Sequence, residues 1–388
     1  MHACVACSKS KRRCSKQLPA CRRCHGKGLR CEYPLVRIVA ASDASASSGN
    51  PHTDTPSSIG SLSQENSPLS IHAQRLGTPY PPVNLWFLAP SSWDIQREHG
   101  NLSVSIAYPD SGLRYFIDRL RAWVSQWTLG QHSNFIHSQL YGSDMPESLQ
   151  HAYAAFQAYQ HSTNSNKYIA LQIVRSYTKL IIQDQTMCEG FSGGACDIRS
   201  HLSRTQALLI FQLIRLFDGD IRSRAEAEST TATLIQWANT LMEKTKADLE
   251  AGTSRRMDQL HPFSTTSDLD CDGTPASLWR AWIFSESIRR TWIIAGLMEA
   301  AFSILKQGHS PCPGSICFTG TKGLWDAASP KAWMAGMQDA KQMRFRLSCA
   351  DIVHLMEDGK PSDFDEFSRL LLVYGQGLEK CQEWCSTD

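Results

Sequence analysis

The sequence predicts three consecutive regimes: a small cysteine-rich head over residues 1–35, a disordered linker over 36–82 and an all-α domain over 83–388. Three observations carry this. Six of the 14 cysteines fall between Cys4 and Cys31. Ten serines fall between Ser42 and Ser70, and no Lys or Arg separates Arg37 from Arg75. From Leu113 onward, apolar residues recur at the helical period. A chain of 388 residues, 42% of them hydrophobic, can bury a substantial core beside one small module. No apolar run approaches the ~20 residues that a bilayer crossing needs, because Glu299 interrupts the longest candidate, near Trp292 to Leu305. No membrane partner is therefore expected. The basic run from Lys9 leaves no room for the apolar segment of a signal peptide. The chain reads as intracellular, where clustered cysteines point to metal rather than to disulfides.

In the head the spacing is Cys4-x2-Cys7-x6-Cys14-x6-Cys21-x2-Cys24-x6-Cys31, so C-x2-C-x6-C occurs twice, offset by 17 residues. A C-x2-C pair chelates a tetrahedral zinc from a tight turn, and the third cysteine returns about a helical turn and a half later. Two tetrahedral zincs need eight ligand positions, which six thiolates fill only if two sulfurs bridge. The pseudo-symmetry favours Cys4 and Cys21 as the bridges. A head this short cannot bury a sufficient core, so zinc has to supply most of its folding free energy.

The net charge of +2 hides an asymmetry. Residues 1–40 hold ten of the 39 Lys and Arg against one acid, Glu32, leaving 29 bases against 36 acids for the rest. A basic head on a mildly acidic body points to a polyanionic partner for the head alone. Zinc ligation by itself does not require Lys9, Lys11, Arg12 and Arg13 between two ligands. A purely structural zinc knob or a protein–protein module is the plainer alternative.

Residues 4–34 resemble the fungal Zn(II)2Cys6 binuclear-cluster family of transcription factors. The likeness covers all six cysteines, the basic stretch after the first C-x2-C and Pro19 in the loop between the halves. It implies two zinc ions per chain and two short helices. The helix after Cys7 is then expected to enter the major groove over a CGG-type triplet. Lys11 falls at the position that contacts bases, and Arg13, Lys16 and Arg23 at positions that contact phosphates. Lys9, Arg12 and Arg22 complete the basic set. The chemistry agrees: lysine can donate to the O6 and N7 acceptors that mark guanine, and neighbouring bases set register on the backbone without reading sequence. Gly26 and Gly28 weaken a helix in the second half, which leaves the first half as the reader. Ser10 departs from the pattern, standing where many relatives carry another base.

The linker has low hydrophobicity and no periodicity. It shows no heptad seam, so binding as a monomer and homodimerisation through the helical domain both remain open. Thr55-Pro56, Ser67-Pro68 and Thr78-Pro79 match proline-directed kinase sites but are equally ordinary linker dipeptides.

Beyond the linker, Leu113, Phe116, Ile117, Leu120, Trp123, Val124 and Trp127 form one apolar stripe, begun by Asp110 or Ser111 as cap. Further helices are expected near 146–161, 165–184, 200–217, 222–247, 279–306, 345–357 and 363–380. The run from Ala207 to Phe217 is apolar nearly all round and is expected at the centre. Strand and hairpin patterns are absent, giving all-α. LRYFIDRLRAW (113–123), SRTQALLIFQLIRLFDGD (203–220) and LWRAWIFSESIRRTW (278–292) resemble the helical regulatory domain of many fungal zinc-cluster factors. That style of domain is frequent among regulators of secondary-metabolite gene clusters.

Several patterns carry less than they suggest. Gly190-Phe191-Ser192-Gly193-Gly194 fits G-x-S-x-G but follows a helical segment, not the strand a nucleophile elbow needs. Cys312-x4-Cys317 and Cys381-x3-Cys385 have ligand spacing without nearby partners. Asn101-Leu102-Ser103 is a glycosylation sequon that matters only on secretion. The eleven tryptophans raise a ligand pocket, although Trp123 with Trp127 and Trp279 with Trp282 have core spacing. Acids mixed with Ile352, Leu355, Met356, Phe364 and Phe367 look like an activation segment, but two amphipathic helix ends joined by Gly359-Lys360-Pro361 are the favoured reading. The expectation is a nuclear, DNA-binding transcription factor that is not an enzyme. Its partners are CGG-containing duplex DNA and the transcription machinery or co-regulators. The alternatives are an enzymatic or metabolite-binding all-α protein with a fused structural zinc module, and a chromatin-bound repressor or adaptor.

Overall fold

The computed structural model of the chain describes residues 7, 9, 10, 12, 14, 22–27, 85–96, 110–131, 133–191, 197–258, 273–310, 312–338, 346–348, 356 and 359–386. Its contacts separate two compact units, residues 1–63 and 64–388, with the division inside the expected linker. Linker residues 36–82, with their three Ser/Thr-Pro dipeptides, lie outside the described residues, as do the sequon and Ser192. In the first unit, Arg22–Gly26 forms a short helix, α1.

The second unit is predominantly helical, and its first helix, α2 (Asp110–Thr128), buries every residue of the predicted stripe from Leu113 to Trp127. Next come α3 (Ser138–Tyr141), α4 (Glu147–Gln160), α5 (Lys167–Phe191), α6 (Ile198–Asp218) and α7 (Ile221–Asp258). Then follow α8 (Pro275–Gln307), α9 (Pro330–Gln338), α10 (Glu366–Gln376) and α11 (Leu378–Cys385). The boundaries have local causes. Asp197 caps α6 by accepting from the Ser200 N–H at 3.0 Å. Thr274 caps α8 ahead of Pro275, and Gly308 ends that helix in the left-handed region at φ 81°. Asp365 caps α10 through the Ser368 N–H at 2.8 Å.

The run from Ala207 to Phe217 lies in α6, which packs against α2, α4, α5, α7 and α8. A second helix shares the centre. α8 is buried almost without a break from Ser277 to Ala295 and touches α3, α6, α7 and α9. Trp123, Trp127, Trp279 and Trp282 are all core. Their neighbour Trp325 satisfies its indole N–H at the Ser133 carbonyl, 2.9 Å away.

Four expectations need correction. α5 runs on to Phe191 rather than stopping near 184, because its inner face continues through Gln185, a polar residue whose amide is held by Arg204 and Glu189. α7 likewise continues to Asp258. The single helix expected over 363–380 is two, broken at Gly377, whose φ of 88° a side-chain-bearing residue adopts only with strain. The helix expected over 345–357 is replaced at Arg346–Ser348 by a strand, β2, paired antiparallel with β1 (Cys317–Thr319) in the register Phe318↔Leu347. This ribbon departs from the all-α expectation. Strands of three residues are too short to show alternation in sequence, and Phe318 is fully buried against Phe367 of α10.

Candidate functional site

In the first unit, Cys7 and Cys24 occupy equivalent places in the two C-x2-C pairs, and both are completely buried. Burial of two thiols at equivalent places in so short a cysteine repeat fits metal-ligand sulfurs. The Arg12 N–H donates to the Cys7 carbonyl at 2.9 Å, and the Ser10 hydroxyl to the same oxygen at 3.4 Å, closing the turn after the first pair. The Lys27 N–H donates to the Cys24 carbonyl at 3.2 Å in the second pair. Between the halves, Arg23 Nη1 donates to Cys7 Sγ at 3.9 Å. A guanidinium against sulfur suits a thiolate, whose negative charge it offsets. Cys14 is half-buried.

Lys9, Arg12 and Arg22 are exposed, and Arg23 is half-buried. Cys4, Cys21, Cys31, Lys11, Arg13 and Lys16 lie outside the described residues. Among the described residues no group of three or more His, Cys, Asp or Glu side chains could hold a metal ion, including around Cys312, Cys317, Cys381 and Cys385. The G-x-S-x-G match begins inside the end of α5, not after a strand. No helix among the described residues is long and apolar enough to cross a membrane.

The second unit contains a feature that sequence reasoning missed: a buried ionic centre on α8. Glu286, Arg289 and Arg290 are all at most 1% exposed. Arg290 donates to the Thr319 carbonyl at 2.9 Å, to the Asn134 carbonyl at 3.2 Å and to Asp365 Oδ2 at 2.5 Å. Its guanidinium lies 4.0 Å from the ring centre of Trp325 and 4.6 Å from that of Phe367. Glu286 Oε1 accepts the Thr319 N–H at 2.6 Å, while its Oε2 has no hydrogen-bond partner among the described residues. Burial holds the Glu286 carboxyl above the usual range.

Arg289 organises a different segment. It donates to Ser92 Oγ at 2.7 Å and to the Phe87 carbonyl at 3.4 Å. Its guanidinium sits 3.8 Å from the Trp93 ring centre and 4.9 Å from that of Trp86. The short 3-10 turns Trp86–Leu88 and Pro90–Trp93, first described residues after the linker, are thereby fixed to α8. The segment LWRAWIFSESIRRTW holds one Glu and three Arg among its apolar residues, and nothing local separates the exposed Arg280 from the buried Glu286, Arg289 and Arg290. Once buried, those three charges need partners.

Comparison with known proteins bears on the head directly. Residues 2–37 match the family model of the fungal Zn(2)-Cys(6) binuclear cluster domain. Over nearly its whole length the chain is similar to "Transcription factor gsfR2" of Penicillium aethiopicum, 25% identical across 98% of this chain and 94% of that one. A shorter stretch is 32% identical to "Transcriptional regulator dmxR14" of Cryptosporiopsis sp. (strain 8999), over 28% of this chain and 25% of that one. No solved structure matches the chain.

Proposed function

We propose that this chain, which carries a zinc-binding binuclear cluster domain at its N-terminus, is a nuclear, sequence-specific DNA-binding regulator of transcription. In this reading Cys4, Cys7, Cys14, Cys21, Cys24 and Cys31 would hold two zinc ions. The observation that carries it is the match of residues 2–37 to that domain, which spans all six cysteines and the basic run between them. The relatives named as a transcription factor and a transcriptional regulator support the same role.

The residues fit the work. When bound, zinc supplies the folding free energy that the head cannot draw from a core. Six thiolates against two divalent cations leave a formal charge of about −2, which Arg23 offsets at Cys7. Lys9, Arg12 and Arg22, exposed around the cluster, contribute a field that attracts phosphate and sets register. Lys11 reads guanine in a CGG-type site, while Arg13 and Lys16 join Arg23 on the backbone. Residues 36–82 act as a tether, so the head searches DNA independently of the helical unit. The helical unit, residues 83–388, presents surfaces to co-regulators and sets the regulatory output. The target genes are a biosynthetic set of the secondary-metabolite kind.

Chromatin occupancy of the tagged full-length protein, beside a Cys14→Ala version, tests this. Peaks over CGG-type sites that vanish in the variant are expected. Equal occupancy in both, with both proteins nuclear, would overturn direct DNA reading and leave a chromatin-bound adaptor.

A further inference from the structure

α2, α10 and α11 line an open cavity of about 340 Å³. Leu370, Val373 and Leu378 supply apolar lining, and Tyr115 and Trp384 supply aromatic lining. Ligand sites have this size and this make-up, an apolar body with a few convergent polar groups.

Arg119, Glu366, Arg369, Cys381 and Cys385 also line it, and they are not equivalent. Glu366 is fully committed: it pairs with Arg119, accepts the Trp123 indole N–H at 3.1 Å and accepts the Asn134 amide at 3.3 Å. Arg119 is thereby neutralised. Arg369 is exposed, and its guanidinium has no ion-pair or hydrogen-bond partner among the described residues. At the inner wall the Cys381 thiol is buried, and that burial pushes it up to about 11, so it stays uncharged at cellular pH. The cavity therefore combines an apolar, aromatic-flanked interior with a single uncompensated cation at its lining. A lone charge against apolar surface selects for the opposite charge on an apolar body.

We propose that this cavity binds an organic monoanion of ring-system size, its rings on Leu370, Val373, Leu378, Tyr115 and Trp384, its acidic group on Arg369. Such a site makes the helical unit a small-molecule receptor. It does not depend on the DNA-binding reading.

The test uses the full-length, zinc-loaded protein and two fluorescent probes that share a ring framework. Anilinonaphthalene sulfonate carries the anion, and phenylnaphthylamine lacks it. Anilinonaphthalene sulfonate is expected to bind one to one and to protect Cys385, at the cavity lining, from alkylation by iodoacetamide, read at each thiol by mass spectrometry. Arg369→Glu should weaken it by about tenfold, the worth of one charge-assisted contact, and leave phenylnaphthylamine unchanged. Arg369→Lys should retain most of the affinity. Arg369 is exposed and its side chain makes no ion pair or hydrogen bond among the described residues, so these variants are expected to fold, which the unchanged phenylnaphthylamine binding checks. An unchanged sulfonate affinity in Arg369→Glu, an equal loss for both probes, or Cys385 alkylation unaffected by saturating probe would each overturn the proposal.

Discussion

Replacing Arg290 with methionine keeps much of the side-chain volume and removes the cation together with its hydrogen-bond donors. The structure sets the consequence. Arg290 is the charge partner of Asp365 at 2.5 Å and lies 3.7 Å from Glu286, and neither carboxylate reaches solvent. It also satisfies two carbonyls, those of Asn134 and Thr319. Removing one member of a buried pair costs about 3–5 kcal/mol, because the other charge is stranded without water. Against a total stability of about 5–15 kcal/mol this is a large fraction. With roughly 2 °C lost per kcal/mol in a domain of this size, Tm should fall by about 6–10 °C. Tryptophan fluorescence during urea or thermal unfolding is the assay. All eleven tryptophans lie between Trp86 and Trp384, so the signal comes from the helical unit alone. The deficit should also shrink in acid. Burial raises the folded-state pKa of Glu286 above its unfolded value, so its carboxylate form weakens the fold as pH rises through that range, and protonation relieves the strain. Arg369→Met, at an exposed cation, is the control and should be neutral. A change within about 0.5 kcal/mol for Arg290→Met would refute the reasoning, since the ionic centre would then be no better than an apolar substitute.

Three further outcomes are expected. Lys11→Ala should reduce discrimination between CGG and altered sites, whereas Arg13→Ala should weaken all sites alike and flatten the salt dependence, both read by binding titrations at several salt concentrations. Chelation of zinc from the full chain should abolish DNA binding and leave the tryptophan emission unchanged; parallel loss of both would show that the head and the helical unit do not fold separately. His201 is completely buried with Nε2 at 3.0 Å from the Trp237 carbonyl, and burial lowers its pKa to about 4. A histidine depressed in the fold binds its proton more readily when unfolded, so its contribution is complete above about pH 6.5 and is lost toward pH 4, by about 3 kcal/mol. Acid titration of stability in wild type and His201→Gln should show that loss in the first and a flatter profile in the second.

Much of this architecture was legible because it depends on local chemistry. The stripe from Leu113 to Trp127 announced α2, since a helix must bury such a face somewhere. Asp197, Thr274 and Asp365 sit where helix starts need a side-chain acceptor. The break at Gly377 is local, its N–H closing on the Val373 carbonyl four residues back at positive φ. The extension of α5 through Gln185 and the strand at Arg346–Ser348 depend instead on other elements, Arg204 on α6 and the strand of Phe318.

The cysteine repeat, the basic run and their spacing were determined by the sequence itself, because metal chelation is a matter of ligand identity and short-range chain geometry. Which charges are buried was not. Glu286, Arg289 and Arg290 read as ordinary polar residues until α8 is surrounded by α6, α7 and the Trp86–Trp93 turns. The unpaired guanidinium of Arg369 emerges only when Glu366 is claimed by Arg119, Trp123 and Asn134. Burial, pairing and cavity shape are properties of packing between segments up to 243 residues apart, and no local pattern contains them.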